Sequence, residues 1–365
     1  MSTPTIFIAG GGTGGHVFPA VAVAEAMKRA ADVDVVFCGT DRGVEARVVP
    51  ARGFRLERLD VQPMKGGGPL RAARGAVVAA RATARAIGLV RRARPRAVLS
   101  VGGYAAGPVS LAAAVLGVPV AILEPNSVVG LANRILAPFA KRAYVAWDEA
   151  GLRFSAGARR PFGVPLREGF QPVPYAARGT ARVLVMGGSQ GAAALNERLP
   201  AAIAIASRTL PAVEVLHQAG RDRDDEVRAR YAAEGVVRAT VVPFIDDVPR
   251  AIADADLVVA RAGAATIAEL SAIGRAVVLV PFPFAADDHQ ARNAEALERA
   301  GGAVCLRQEH ATSPRIAAEI ERLLSDDGLR VRMAASARAV GRPGAARDIA
   351  ADLLELSHTS PRGAA

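Results

Sequence analysis

Only two cysteines occur in 365 residues, Cys38 and Cys305, and they lie far apart. That excludes a disulfide framework and a CxxC metal pair, and it fits a reducing cytoplasm. Cys38 ends the apolar run Val35-Val36-Phe37 and is expected in a core. Aromatics make up only 4% of the chain, which leaves no interleaved stacking platform for nucleic acid. No window reaches about 18 uninterrupted apolar residues, so no segment is expected to span a bilayer. Met1-Ser2-Thr3-Pro4 runs straight into a strand pattern without a basic leader, so no signal peptide is expected. A GxxxxGK(S/T) run is missing, which excludes a P-loop, and no histidine pair has HExxH spacing. Neither a metal nor a cofactor is therefore expected.

Acidic residues are missing where basic ones crowd. The chain carries 46 Lys and Arg against 35 Asp and Glu, a net charge of +11. Residues 51–100 hold 12 basic and 2 acidic residues, nearly the whole excess. Between Lys65 and Arg96 there are nine basic residues and no acidic one. Such a patch implies an anionic partner. Over Leu70–Arg92 a helix is expected, interrupted by Gly75 and Gly88, with Arg71, Arg74, Arg81, Arg85 and Arg92 in one sector. That stripe suits an anionic membrane surface; the rival reading is a solvated helix packed on the sheet through its alanines.

What the chain has in abundance is apolar aliphatic residues, with 51% hydrophobic overall. Four β-branched runs stop at glycine: Thr5–Gly10, Ala97–Gly103, Arg182–Gly188 and Leu257–Gly263. Each is followed by an Ala-rich helical stretch, the pattern of βα units in a parallel sheet. Further strands are expected at Val33–Cys38, Val118–Glu124, Ala143–Ala146, Glu214–Gln218, Thr240–Phe244 and Ala276–Val280. Four prolines in Pro161–Pro174 read as a linker. The expected architecture is α/β: two doubly wound Rossmann-like domains facing a cleft. The boundaries are placed at residues 1–163 and 164–344, with a helix over 345–356 returning to the first domain and a flexible tail at 357–365.

Each half opens with a strand, a glycine loop and a helix. Gly10-Gly11-Gly12-Thr13-Gly14-Gly15-His16 contains GxGxxG, but the second strand ends in Cys38-Gly39-Thr40 where a dinucleotide site wants an acidic residue. NAD binding is therefore the second choice. Gly187-Gly188-Ser189-Gln190-Gly191-Ala192 offers backbone N–H groups and a hydroxyl to a phosphate. Glu269, six residues past Gly263, can accept from both hydroxyls of a ribose; a helix-capping role competes. His16, at the first turn of the first helix, is the candidate general base, and a helix N-terminus disfavours its charged form. Glu124 is the competing carboxylate.

Eight segments together carry a resemblance: GGTGGHVFPA from Gly11, VGGYAAGP from Val101, EPNSVVGLAN from Glu124, GGSQGA from Gly187, HQAG from His217, FIDD from Phe244, RAGAATIAEL from Arg261 and DHQARNA from Asp288. In that order the chain resembles the MurG family of peptidoglycan glycosyltransferases over essentially its whole length. The resemblance implies a glycosyltransferase fold of the B type, UDP-N-acetylglucosamine as donor, and inversion at the anomeric carbon. It implies lipid I (undecaprenyl-pyrophosphoryl-N-acetylmuramoyl-pentapeptide) as acceptor, and lipid II as product. A peripheral place on the cytoplasmic face of the bacterial inner membrane follows, with cell-wall or division proteins as further partners. Donor contacts carry over to Thr13, Gly14, Gly15, Asn126, Arg167, Ser189, Ile245, Ala264, Ala265, Thr266, Glu269 and Gln290. On chemical grounds His16 is the first choice for the base that takes the acceptor proton, and the Gly187–Ala192 loop, helped by Arg167 or Arg261, is expected to hold the diphosphate. The family often has His-Glu-Gln-Asn where this chain has Leu123-Glu124-Pro125-Asn126.

Overall fold

The computed structural model describes residues 3–59, 61, 69–176, 180–188, 191–210 and 212–359, with the side chains of 69–80 left aside. The chain forms two compact units, Met1–Glu168 with Gly344–Ala365, and Gly169–Pro343. The first unit thus runs on past residue 163 and takes back the end of the chain.

Unit 1 holds seven strands: β1 (Thr5–Ala9), β2 (Asp34–Gly39), β3 (Arg55–Arg58), β4 (Ala97–Ser100), β5 (Val120–Glu124), β6 (Ala140–Val145) and β7 (Arg159–Arg160). They pair in parallel in the order β3-β2-β1-β4-β5-β6-β7. The order reverses between β1 and β4, the switch point where doubly wound sheets present ligand loops. The helices are α1 (Gly14–Ala30), α2 (Glu45–Ala51), α3 (Pro69–Ala93), α4 (Ala106–Val115), α5 (Leu131–Leu136) and α6 (Asp148–Gly151).

Unit 2 repeats the scheme with six strands: β8 (Ala181–Met186), β9 (Val213–Gln218), β10 (Ala239–Val242), β11 (Leu257–Ala260), β12 (Ala276–Leu279) and β13 (Ala303–Cys305). Their order is β10-β9-β8-β11-β12-β13, again all parallel, with the switch between β8 and β11. Its helices are α7 (Ala193–Ala206), α8 (Asp224–Ala233), α9 (Val248–Asp254), α10 (Ala264–Ile273), α11 (His289–Arg299), α12 (Ser313–Leu324) and α13 (Asp327–Val340). The chain then re-enters unit 1 as α14 (Ala345–Thr359), which extends beyond residue 356; residues 360–365 of the expected tail lie outside the described residues.

Parallel strands need cover on both faces, so the central ones are apolar throughout. β4, β5, β11 and β12 are buried at every position. One face of the first sheet packs under α1 and α14, through Val17, Val21, Met27, Ile349, Leu353 and Leu356. The other packs under α3, α4 and α5, through Ala86, Leu89, Val90, Val109 and Leu136. The arginines of α3 point the other way: Arg81, Arg85, Arg91 and Arg92 are exposed. Arg71 and Arg74 lie outside the residues whose side chains are described. The alanine face and the basic face of α3 therefore coexist, one inward and one outward.

Candidate functional site

In unit 1 the loops after β1 and β4 press together at the switch point. A Cβ at Gly10 would come within 2.5 Å of the Gly102 carbonyl, and one at Gly103 within 2.5 Å of the Gly11 carbonyl. Gly10, Gly102 and Gly103 also have positive φ, so only glycine fits on both counts. Thr13 caps α1 in extended conformation, which seats Gly14, Gly15 and His16 in the first helical turn. His16 is half-buried, with Nδ1 3.3 Å from Thr13 Oγ1. Its Nε2 faces the β4 loop, 3.2 Å from where a Gly102 Cβ would stand. The sequence expectation that His16 opens the helix at the ligand end of the sheet corresponds to this position.

Glu124, the competing base, ends β5 and is 2% exposed. Oε1 accepts from the Asn126 backbone N–H (3.1 Å) and side-chain amide (3.2 Å); Oε2 accepts from Gly130 N–H (2.9 Å) and Asn133 Nδ2 (3.0 Å). Burial pushes its carboxyl above the ordinary value, against the pull of those donors. A carboxylate so enclosed shapes the 125–130 loop and is poorly placed to take a proton from a substrate. Asn126 is held by it, and Asn133 is fixed from the far side by the Ser100 hydroxyl (3.1 Å).

In unit 2 the glycine loop follows β8. Gly191 has φ +72, and a Cβ there would collide with the Ala219 carbonyl. Ser189 and Gln190 lie outside the described residues. The floor of the loop is built by the HQAG segment. Gln218 Nε2 donates to the Gly188 carbonyl (3.3 Å), and Asn196 Nδ2 donates to the Ala219 carbonyl (2.9 Å). His217, fully buried, is bracketed by Asn196 Oδ1 (3.1 Å) and Tyr231 OH (3.0 Å). Burial lowers its pKa from 6.5 to about 4. The motif therefore supports the loop from beneath.

Beside it, β11 leads to α10, capped by Gly263 in extended conformation. Ala264, Ala265 and Thr266 form its first turn and Glu269 follows one turn later, all partly exposed. Since β8 and β11 are neighbours, α7 and α10 present their N-termini at the same edge of the sheet. Gln290, in the first turn of α11, accepts the Phe282 N–H through Oε1 (3.0 Å) and so orders the 281–285 loop. Arg261 directly follows β11. It donates to the carbonyls of Val280 (3.0 Å) and Pro281 (3.1 Å) and to Gln308 Oε1 (2.7 Å). Burial lowers its pKa to about 10, and the nearby Arg198 adds to the effect. The guanidinium braces the strand ends through three hydrogen bonds from its two terminal nitrogens. Arg167 is exposed at the end of unit 1.

Ile245 is buried just after β10. It lines a cavity of about 650 Å³ that runs along β8, β9 and β10 beside α9, as do Arg182, Glu214 and Arg250. Of the expected donor contacts among the described residues, only Ile245 borders that cavity, which otherwise extends to the amino ends of the strands. Among the described residues no group of three or more His, Cys, Asp or Glu stands together as a metal site.

Sequence reasoning missed Glu45. It sought an acidic residue at the end of β2 and stopped at Thr40; the buried carboxylate lies five residues further on and binds the protein's own glycine loop. A glutamate set among Gly39, Thr40 and Gly43 was the available signal.

The comparisons agree with this geometry. Residues 6–145 match the glycosyltransferase family 28 N-terminal domain and residues 182–349 match the family's C-terminal domain. A Sorangium cellulosum protein is 55% identical over 98% of this chain and 89% of its own length; it is named a UDP-N-acetylglucosamine–N-acetylmuramyl-(pentapeptide) pyrophosphoryl-undecaprenol N-acetylglucosamine transferase. An Acidithiobacillus ferrooxidans protein of the same name is 45% identical over 97% of this chain and 98% of its own. The crystal structure of Acinetobacter baumannii MurG superposes with a TM-score of 0.81 at 33% identity, covering 96% of this chain and 99% of that one. With both domain matches in sequence order and relatives this similar along nearly its whole length, the chain belongs to glycosyltransferase family 28, in its MurG branch.

Proposed function

We propose that this enzyme moves N-acetylglucosamine from UDP-N-acetylglucosamine to the muramoyl hydroxyl of lipid I, with inversion, giving lipid II. The observation that carries the reading is the pair of helix N-termini, α7 and α10, opening side by side behind the glycine loop of unit 2. Backbone N–H groups and aligned peptide dipoles at such ends stabilise a diphosphate as it gains charge. Glu269 accepts from the ribose, and Ile245 lies against the base. Ser189, Thr266 and Gln290 complete the donor's polar contacts in unit 2; Asn126, Arg167 and the Thr13–Gly15 turn are the further donor contacts that the family resemblance implies. The muramoyl oxygen attacks the anomeric carbon, His16 takes the hydroxyl proton, and UDP leaves with the bonding pair.

Transfer of radiolabel from UDP-N-acetylglucosamine to a short-chain lipid I analogue tests the activity; an unlabelled lipid fraction overturns it. Glu269→Ala tests the donor site. Losing a charged acceptor for two hydroxyls should weaken UDP binding roughly 10–150-fold. Titration calorimetry reads this directly, and an unchanged Kd removes Glu269 from the site.

The acceptor's isoprenoid stays in the bilayer, so the enzyme must meet it there. No helix among the described residues is long and apolar enough to cross a membrane. The outer side of the α3–α5 layer supports peripheral attachment at the cytoplasmic face. α3 carries the exposed Arg81, Arg85, Arg91 and Arg92, and the α5 end of the layer carries Leu131, Ile135 and Phe139, which are 59%, 59% and 48% exposed. Each cation near an anionic leaflet contributes about 1 kcal/mol. Reversing Arg81 and Arg85 to glutamate should sharply reduce co-sedimentation with anionic vesicles and flatten its salt dependence, while activity on a soluble acceptor persists. Unchanged sedimentation would leave the stripe as a solvated surface.

A further inference from the structure

Glu45 opens α2, where a glutamate ordinarily faces water, yet it is 1% exposed. Oε2 accepts from Gly12 N–H at 2.7 Å. Oε1 accepts from Thr40 N–H at 3.0 Å and from the Thr40 hydroxyl at 2.8 Å. Three glycines make room for it: a Cβ at Gly11, Gly39 or Gly43 would collide with its side chain. The Thr40 hydroxyl also lies 3.4 Å from Tyr104 OH, which ties the same cluster to the loop after β4. Burying a carboxylate is costly unless donors surround it, so three donors and three cleared positions describe a site built to hold this one group.

The carboxylate fixes Gly12, the residue immediately before the Thr13 cap, and the Gly12 amide is thereby withdrawn from ligand binding. The turn that follows seats His16 beside the β4 loop. We propose that Glu45 is a positioning residue of the transfer reaction: it locks the first glycine loop so that His16 stands ready for the acceptor hydroxyl. The inference rests on the reading of His16 as base.

Glu45→Gln keeps the shape but replaces one acceptor oxygen by an NH2 group, which must then face an N–H donor of Gly12 or Thr40. A loop displaced by a fraction of an ångström loses turnover without losing affinity for UDP, which the proposed donor site assigns to the glycine loop and Glu269 of unit 2. The expected result is a fall in kcat of about 10- to 100-fold, with the Kd for UDP unchanged. Thr40→Val, which removes only the hydroxyl donor, should give a smaller loss in the same direction. The deciding measurement is a double-mutant cycle with His16→Ala. If Glu45 works through His16, Glu45→Gln costs little more once His16 is gone. Losses that multiply independently, or a fall in UDP affinity equal to the fall in kcat, overturn the inference alone. A His16→Ala enzyme with full turnover overturns both the base and the inference resting on it.

Discussion

Replacing His16 with alanine is expected to cut turnover by about 10²–10⁴-fold, the usual contribution of a positioned base, while UDP binding stays as in the unaltered enzyme. The expectation follows from place. His16 sits on unit 1, in the first turn of α1, with one ring nitrogen near Thr13 and the other toward the β4 loop. The glycine loop proposed to hold the diphosphate belongs to unit 2, as does Glu269. A group that acts on the acceptor proton lowers kcat and leaves donor affinity alone. Steady-state kinetics at saturating substrates, paired with UDP titration, separates the two. Turnover near that of the unaltered enzyme would make His16 a structural residue. Glu124 cannot substitute readily, since each of its oxygens already accepts two hydrogen bonds.

Acid should destabilise unit 2 through His217. Asn196 gives its amide to the Ala219 carbonyl, so its Oδ1 faces His217 and calls for a proton on Nε2. Nδ1 then accepts from Tyr231 OH, and the neutral ring satisfies both neighbours. A second proton would bury a charge with no counter-ion hydrogen-bonded to it, which is why the pKa falls to about 4. In the unfolded chain the ring titrates near its ordinary 6.5. Between the two values the unfolded state holds the extra proton, so the slope of stability with pH is positive. The contribution is whole above about 6.5 and is lost as pH falls to about 4, amounting to about 3 kcal/mol. Urea unfolding at pH 7 and at pH 4.5 measures it. His217→Gln, which cannot titrate, should show a shallower slope; equal slopes would refute the account.

The residues that were legible in the sequence share a physical cause, as do those that were not. The interior strands β1, β4, β8 and β11 stand out because cover on both faces demands unbroken apolar runs. β3, β7 and β13 escaped notice, and all three are sheet edges. An edge strand has one neighbour and partial exposure, so Arg55-Leu56-Glu57-Arg58 and Arg159-Arg160 carry no such run. The glycine loops were legible because tight turns restrict residue choice locally. Glu45 was not, because its partner Gly12 is 33 positions away, and the nearby Gly39, Thr40 and Gly43 do not by themselves name that partner. For Arg261 only the fold reveals the carbonyls of Val280 and Pro281 that it braces.

The return of α14 to unit 1 sets an order of assembly. Ile349, Leu353 and Leu356 complete the core beneath α1, and Asp352 anchors the helix by accepting from Tyr144 OH (2.8 Å) and Arg142 Nε (2.9 Å). Ribosomes deliver α1 first and α14 last, with all of Gly169–Pro343 between them. At about 5–20 residues per second, the stretch of about 315 residues from Ala30 to Ala345 takes roughly 15–65 seconds. Throughout it Val17, Val21 and Met27 lack the helix that covers them, whereas unit 2 is contiguous and can close as soon as it emerges. The half of the enzyme synthesised first is therefore finished last, and its nascent apolar face is where chaperones have the longest opportunity to bind.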